Sequence, residues 1–267
     1  MDISGATALV TGANRGIGRH LAVQLVKRGA KVYATARRPE SVDLDGVEIL
    51  GLDITDPDAV ASAANTAGDV DLLVNNAGIG GKALLGDLDA VRDTIEVNFW
   101  GTLSMVRAFA PVLARNGGGA VLNIASSASW FVFPGSSAYA VSKAAVWSMS
   151  NALRQELAGQ GTLVTSVHLG AADTDMMKGY DVPKMAPADV AHAALDGVED
   201  GAFEVVVDES PQCQGVTEQG PEGIRQAVPT VPRLLTLLLS RGPHDTSDVR
   251  IGQASECCPM SEPGSTA

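Results

Sequence analysis

Aromatic side chains are scarce in this chain: five Phe, three Tyr and three Trp among 267 residues. Cysteine is scarcer still. Cys213, Cys257 and Cys258 all fall late in the chain. An odd number implies no disulfide framework, and the adjacent pair lacks metal-ligand spacing, so a reduced, cytoplasmic protein is expected. Long apolar runs are missing too. The longest late one, Leu234 to Leu239, is far below the ~20 residues a spanning helix needs. The N-terminus shows no charged segment followed by an apolar one, so no signal peptide is expected. Positive charge is outnumbered, with 19 Lys and Arg against 31 Asp and Glu and a net charge of −12. That leaves no electrostatic footprint for nucleic acid or for an anionic membrane. Any phosphate must be met by local positive groups.

What is plentiful is Gly, Ala and Val, and 45% of the residues are hydrophobic. Such a mix suits tightly packed parallel strands and helices. The length allows one domain with an appendage. Thr7 to Val10 is a short β-prone run that leads into Thr11-Gly12-Ala13-Asn14-Arg15-Gly16-Ile17-Gly18. Ile17, Leu21, Leu25 and Val26 then form a helical stripe ending at Gly29. Strand, glycine loop and helix follow one another. Glycines let the backbone turn tightly and approach a ligand. The helix N-terminus offers free N–H groups and a favourable dipole to a pyrophosphate. A glycine-rich turn without a ligand is the plainer alternative.

Lys31 to Ala36 reads as a second strand, followed by Arg37 and Arg38. An acidic residue at this strand end would bind the ribose hydroxyls of an adenosine. Ala36 and Arg37 stand there instead, and Arg pairs with a ribose phosphate. With Arg15 nearby in the glycine loop, the pattern favours NADP(H); two solvated arginines on a turn are the alternative. Val47 to Leu52 is a third strand, ending at Asp53, and Asp56-Pro57 opens a helix through Ala67. Val70 to Val74 is a buried strand ending in Asn75-Asn76-Ala77-Gly78, a polar turn at a carboxyl end, where ligands sit in such sheets.

Val91 to Leu113 reads as one long helix with Asn98 inside it. Asparagine competes for backbone groups within a helix, so a kink bearing a functional Asn and a tolerated, half-exposed Asn both stay open. Ala120 to Ala125 is a fifth strand, ending in Ser126-Ser127. The apolar loop after it, with Trp130, Phe131, Phe133 and Pro134, suits a substrate wall, a lid or an oligomer contact. Tyr139 to Leu157 is a helix, and Leu163 to Leu169 a sixth strand followed by Gly170 to Thr174. Pro187 and Asp189 open another helix, and Phe203 to Val207 is a seventh strand. Strands and helices alternate without an internal repeat, which predicts a parallel sheet wound on both faces across residues 1–208. Gly12, Asn75, Ser126 and Gly170 all follow strands and so gather along one sheet edge. From 209 to 267 proline becomes frequent and lysine disappears; this is an extension of uncertain order.

Tyr139 and Lys143 are four residues apart, on one face of the predicted helix. A fixed cation beside a phenol favours the phenolate, which would ready the tyrosine to give or take a proton. An ordinary amphipathic helix with one Tyr and one Lys is the alternative.

Together these residues resemble the short-chain dehydrogenase/reductase family, over about residues 5–208. The glycine loop matches at Thr11, Gly12, Gly16 and Gly18, the turn at Asn75-Asn76-Ala77-Gly78, and the signature at Tyr139 and Lys143. Ser126 and Asn98 fall at the family's serine and asparagine positions. The resemblance implies a Rossmann fold and hydride transfer between NADP(H) and a carbonyl or secondary alcohol of an apolar small molecule, with no metal. It implies that Ser126 bonds the substrate oxygen, that Tyr139 protonates it, and that Lys143 lowers the tyrosine pKa and binds the nicotinamide ribose. Asn98 would hold a water that feeds protons toward Lys143.

Implied cofactor contacts are Gly12, Asn14, Arg15, Gly16, Ile17 and Gly18 in the loop, with Arg37, Asp53 and Ile54 toward the adenosine. Asn76, Ala77, Gly78, Tyr139, Lys143, Gly170 and Thr174 complete them. Ser126, Ser127, Trp130, Phe133, Tyr139, Met176 and Tyr180 are the implied substrate contacts. A homodimer or homotetramer through the helices bearing Asn98 and Tyr139 is also implied. Leu169 departs from the family, standing where a proline often precedes the glycine. An NAD-dependent dehydrogenase of the same family and a catalytically silent, cofactor-binding regulator are the competing readings.

Overall fold

The computed structural model describes residues 1–207. The three cysteines and the extension expected over 209–267 lie outside the described residues.

All seven strands expected from the sequence are present: β1 (Thr7–Val10), β2 (Lys31–Ala36), β3 (Glu48–Gly51), β4 (Leu72–Asn75), β5 (Ala120–Ile124), β6 (Leu163–His168) and β7 (Glu204–Val206). They pair in the order β3-β2-β1-β4-β5-β6-β7, parallel throughout. The central strands β1, β4 and β5 are buried at every position. That is why they read as continuous apolar runs: helices cover both faces. Helices α1 (Gly16–Lys27), α2 (Pro57–Thr66), α3 (Leu88–Ile95), α4 (Thr102–Arg115), α5 (Ser137–Glu156) and α6 (Pro187–Glu199) supply that cover.

On one face, Leu21 and Leu25 of α1 and Val190, Ala194 and Leu195 of α6 join the core with Ala8, Val10 and Leu122. On the other, Val60 of α2, Phe109 of α4 and Val146 and Leu153 of α5 pack with Leu9, Leu73 and Val121. The alternation along each strand decides which core a residue enters. Asp56 caps α2, accepting from the Asp58 N–H at 2.9 Å, with Pro57 at the first helical position. No helix among the described residues is long and apolar enough to cross a membrane.

The single long helix expected between Val91 and Leu113 is instead interrupted. Between α3 and α4 the backbone adopts a π-helical stretch, Glu96–Gly101, of the kind that inserts a residue into a helix and turns one side chain out of phase. Asn98, within this stretch, is buried. Gly101 closes the stretch against Ile54; a Cβ there would come within 2.7 Å of the Ile54 Cγ1 and Cδ1 atoms.

Two strand ends are clamped together. The Thr11 hydroxyl accepts from the N–H groups of Asn76 (2.9 Å) and Ala77 (3.0 Å). In return the Asn76 side-chain amide donates to the carbonyls of Thr11 (2.9 Å) and Gly12 (3.2 Å). Gly18, in the first turn of α1, lies against this clamp. A Cβ at Gly18 would fall far inside contact distance of the Asn76 amide nitrogen and the Gly12 carbonyl oxygen. Gly18→Ala is therefore expected to destabilise the chain by about 2 kcal/mol through overpacking. Urea denaturation measures this, and an unchanged midpoint would show that α1 can back away freely.

Candidate active site

The parallel strands place their carboxyl ends side by side, and the loops leaving those ends hold many of the predicted site residues, while Asn98, Tyr139 and Lys143 lie on helical segments. The β1–α1 loop turns at Gly12 (φ +66°) and Gly16 (φ +54°), backbone conformations that side-chain-bearing residues rarely adopt. A Cβ at Gly16 would lie 3.2 Å from Thr174 Cγ2 across the cleft. At the start of α1, Arg15 makes no side-chain cap, and the first turn holds no acidic residue. The free N–H groups and the missing Cβ atoms fit a pyrophosphate. The residues present therefore suit a dinucleotide.

The adenosine side is less uniform. Arg37 and Arg38 are exposed beyond β2. Asp53 lies near Arg37. Burial pushes its carboxyl up, but the Thr55 N–H and hydroxyl together with Arg37 outweigh this and hold it below the usual carboxylate range. The Ile54 side chain is in the core beneath Gly101, which leaves its backbone to meet a ligand. Arg15 reaches across the cleft to Asp175, with Nη1 to Oδ2 at 3.1 Å. The Asn76 amide is spent on the clamp with Thr11 and Gly12. Ala77 packs partly against the core. Gly78 lies beside Asn98, where a Cβ would come 3.1 Å from Asn98 Oδ1.

Asn98 is locked on both sides. Its Oδ1 accepts from the Ile79 N–H at 2.8 Å. Its Nδ2 donates to the Ile79 carbonyl at 2.9 Å and to the Ser142 hydroxyl at 2.9 Å. Ser142 in turn donates to the Tyr139 carbonyl at 2.7 Å. The Asn98 amide thus straps the loop after β4 to α5.

Ser126 lies two residues beyond β5, with its hydroxyl accepting from the Ala128 N–H at 3.1 Å and donating to the Leu169 carbonyl at 3.4 Å. Ser127 is buried; its N–H donates to the Leu169 carbonyl at 2.9 Å. Lys143 is buried and donates from Nζ to the Ile124 carbonyl at 2.7 Å. The ammonium stands 5.6 Å from the Tyr139 ring centroid. The expected lowering of Tyr139 by Lys143 does not appear in the chain by itself. Burial pushes the Tyr139 phenol up, and the neighbouring Ser126 hydroxyl only partly offsets it. Burial also pushes Lys143 down, to about 8. Desolvation of both groups outweighs their mutual effect.

The substrate-side residues divide. Phe133, Met176 and Tyr180 are exposed. Trp130 is turned inward instead of lining a wall. Its ring stacks on His168, centroids 4.1 Å apart at 19°, and meets Trp147 edge-on at 6.2 Å. The flat imidazole at the end of β6 gives the indole a surface that solvent does not. Ser142, His168 and Asp175 have roles here that the sequence reading missed. Ser142 falls at a variable position of the Tyr139–Lys143 signature and the other two lie in no motif, and each acts on a partner distant in sequence, apart from the Ser142 bond to its own helix.

Fold and site define an oxidoreductase that binds a nicotinamide cofactor. A family model described as short chain dehydrogenase matches residues 6–183, and the chain belongs to that family. It is 34% identical over 216 residues to 1-deoxy-11-beta-hydroxypentalenate dehydrogenase of Streptomyces exfoliatus, covering 73% of this chain and 78% of the relative. It is 38% identical over 204 residues to the short-chain dehydrogenase ptmH of Penicillium ochrochloron, covering 71% and 73%. Among solved structures, a Burkholderia cenocepacia short chain dehydrogenase in complex with NADP is 37% identical, with a TM-score of 0.78 over 86% of this chain and 100% of that one. The 3-ketoacyl-(acyl-carrier-protein) reductase of Brucella melitensis, complexed with NADH, is 29% identical, with a TM-score of 0.74 over 79% and 99%.

The buried ammonium has a consequence for stability. Unfolded lysine titrates near ~10.4, but folded Lys143 titrates at about 8. Below pH 8 both states hold the proton, and the folded state bears the whole cost of burying it. As pH rises from 8 toward 10, the folded state sheds the proton first and the cost fades. Stability from this group therefore increases with pH across that window. Lys143→Met removes the group. Its stability relative to wild type should fall by about 2 kcal/mol between pH 7 and pH 10. Paired urea denaturations measure this, and a pH-independent difference would contradict it.

Proposed function

We propose that this chain is an NADP(H)-dependent carbonyl reductase or alcohol dehydrogenase acting on apolar ketones, aldehydes or secondary alcohols. The observation that supports it best is the convergence of Ser126, Tyr139 and Lys143, with the Ser126 hydroxyl next to the Tyr139 phenol and Lys143 fixed by the Ile124 carbonyl. The bound cofactor supplies or accepts the hydride. Gly12, Gly16, Ile17 and Gly18, with Asn14, hold its pyrophosphate at the α1 N-terminus, and Asp53 takes the adenine amino group. Arg37, with Arg15 once it leaves Asp175, meets a ribose phosphate. Gly170 and Thr174 close the nicotinamide end.

In the reductive direction the Ser126 hydroxyl donates to the substrate oxygen and Tyr139 gives it a proton. In the oxidative direction the Tyr139 phenolate takes that proton. Lys143 stabilises the phenolate and binds the nicotinamide ribose. Preorganised donors aimed at the developing alkoxide supply the electrostatic stabilisation. The exposed Phe133, Met176 and Tyr180, with Val132 and Val182, accord with an apolar substrate. The Streptomyces relative is named for a hydroxylated substrate, which accords with a secondary alcohol. Exposed Trp100 and Val141, on the segments bearing Asn98 and Tyr139, support a homodimer or homotetramer through these helices.

The test is oxidation of NADPH and of NADH by the purified protein across a panel of apolar ketones and aldehydes. Turnover should favour NADPH, and Tyr139→Phe should lower kcat by at least about 100-fold while NADPH binding survives. Turnover at the wild-type rate in that variant would overturn the role of Tyr139. The NADH complex of the Brucella neighbour favours the second reading, an NAD-dependent enzyme. Ala36→Asp, which installs the ribose-binding carboxylate, is expected to shift preference toward NADH by about tenfold or more. Unchanged preference would mean that the ribose lies elsewhere.

A further inference from the structure

His168 is fully buried at the last position of β6, yet among the described residues its side chain makes only one hydrogen bond. Its Nδ1 lies 3.2 Å from the Ser126 carbonyl oxygen. A carbonyl can only accept, so Nδ1 carries the proton. Nε2 is then a bare acceptor, buried and without a partner among the described residues, and the stacked Trp130 leaves its indole N–H likewise unpartnered among them. Each such group costs about 1–3 kcal/mol. Burial keeps the ring neutral, with its pKa pushed down to about 4, so the donor at Nδ1 is constant across the working pH range. The imidazole is held between Trp130, stacked at 4.1 Å, and Trp147, edge-on at 6.5 Å.

The bond lands where it matters. The Ser126 carbonyl takes a second donor, the Ser129 N–H at 2.9 Å. Two donors on one carbonyl fix the peptide plane after Ser126 and with it the direction of the Ser126 side chain. The hydroxyl accepts from the Ala128 N–H at 3.1 Å. Its own proton lies between the Leu169 carbonyl, a long contact at 3.4 Å, and the neighbouring Tyr139 phenol.

We infer that His168 is a positioning residue for Ser126: its Nδ1–H, clamped between two tryptophans, holds the serine carbonyl so that the hydroxyl faces the substrate oxygen. This rests on the proposed role of Ser126. Misplacement of a reacting group by a fraction of an ångström is enough to slow turnover substantially.

The experiment compares His168→Phe, His168→Asn and Ser126→Ala with wild type, by carbonyl reduction and by NADPH fluorescence titration. Phenylalanine keeps the ring beneath Trp130 and removes the donor. Asparagine keeps a donor near the Nδ1 position and removes the ring. Expected are a fall of about tenfold in kcat for His168→Phe with NADPH affinity unchanged, and recovery to within about threefold of wild type in His168→Asn. Three results overturn the inference: near-wild-type kcat in His168→Phe, equal losses in both histidine variants, or loss of activity in step with NADPH affinity. Full turnover in Ser126→Ala would overturn the role of Ser126 and this inference with it. Loss in Ser126→Ala alone leaves the role of Ser126 standing and refutes only His168.

Discussion

The site rests on a reciprocal clamp between two turns. Thr11 leaves β1 and Asn76 leaves β4, and each satisfies the other's backbone. The hydroxyl accepts two N–H groups while the amide covers two carbonyls. Turns at the ends of parallel strands would otherwise leave buried polar groups unpaired, each costing about 1–3 kcal/mol. Pairing them with each other fixes the glycine loop to the neighbouring strand. The start of α1, and the N–H groups it presents, inherit that position. Gly18 has no room for a side chain because the clamp passes directly beneath it.

A second strap does for α5 what the clamp does for α1. Asn98 joins the loop after β4 to Ser142, and Ser142 bonds the carbonyl of Tyr139. The Ser129 hydroxyl bonds the Lys143 carbonyl at 3.0 Å. The α5 backbone bearing the tyrosine and lysine is thus tethered on two sides before any ligand arrives. Both side chains sit in surroundings that disfavour charge. The polar work of the site is concentrated on a few preplaced donors, which act more strongly where water is displaced.

Local spacing made the sheet, the glycine loop and the pair Tyr139 and Lys143 readable from the sequence, because each lies within a few residues. Spacing gives adjacency but not surroundings. The lysine was expected to ease ionisation of the tyrosine, and the degree of burial that reverses this depends on the whole fold. The strap from Asn98 to Ile79, the bond from His168 to Ser126 and the inward turn of Trp130 join residues tens of positions apart or on different elements. No periodicity announces them. Thr11 was visible as part of a motif, but its bond to Asn76 spans 65 positions.

The π-helical stretch between α3 and α4 limits how this family member can vary. Removing one residue from Glu96–Gly101 would restore an unbroken α-helix and take away the wide turn in which Asn98 sits. Removing one from regular helix on either side would instead turn everything beyond it by about 100°. Surface loops tolerate changes in length. Here the residue count itself is under constraint, so substitutions are tolerable where insertions and deletions are not.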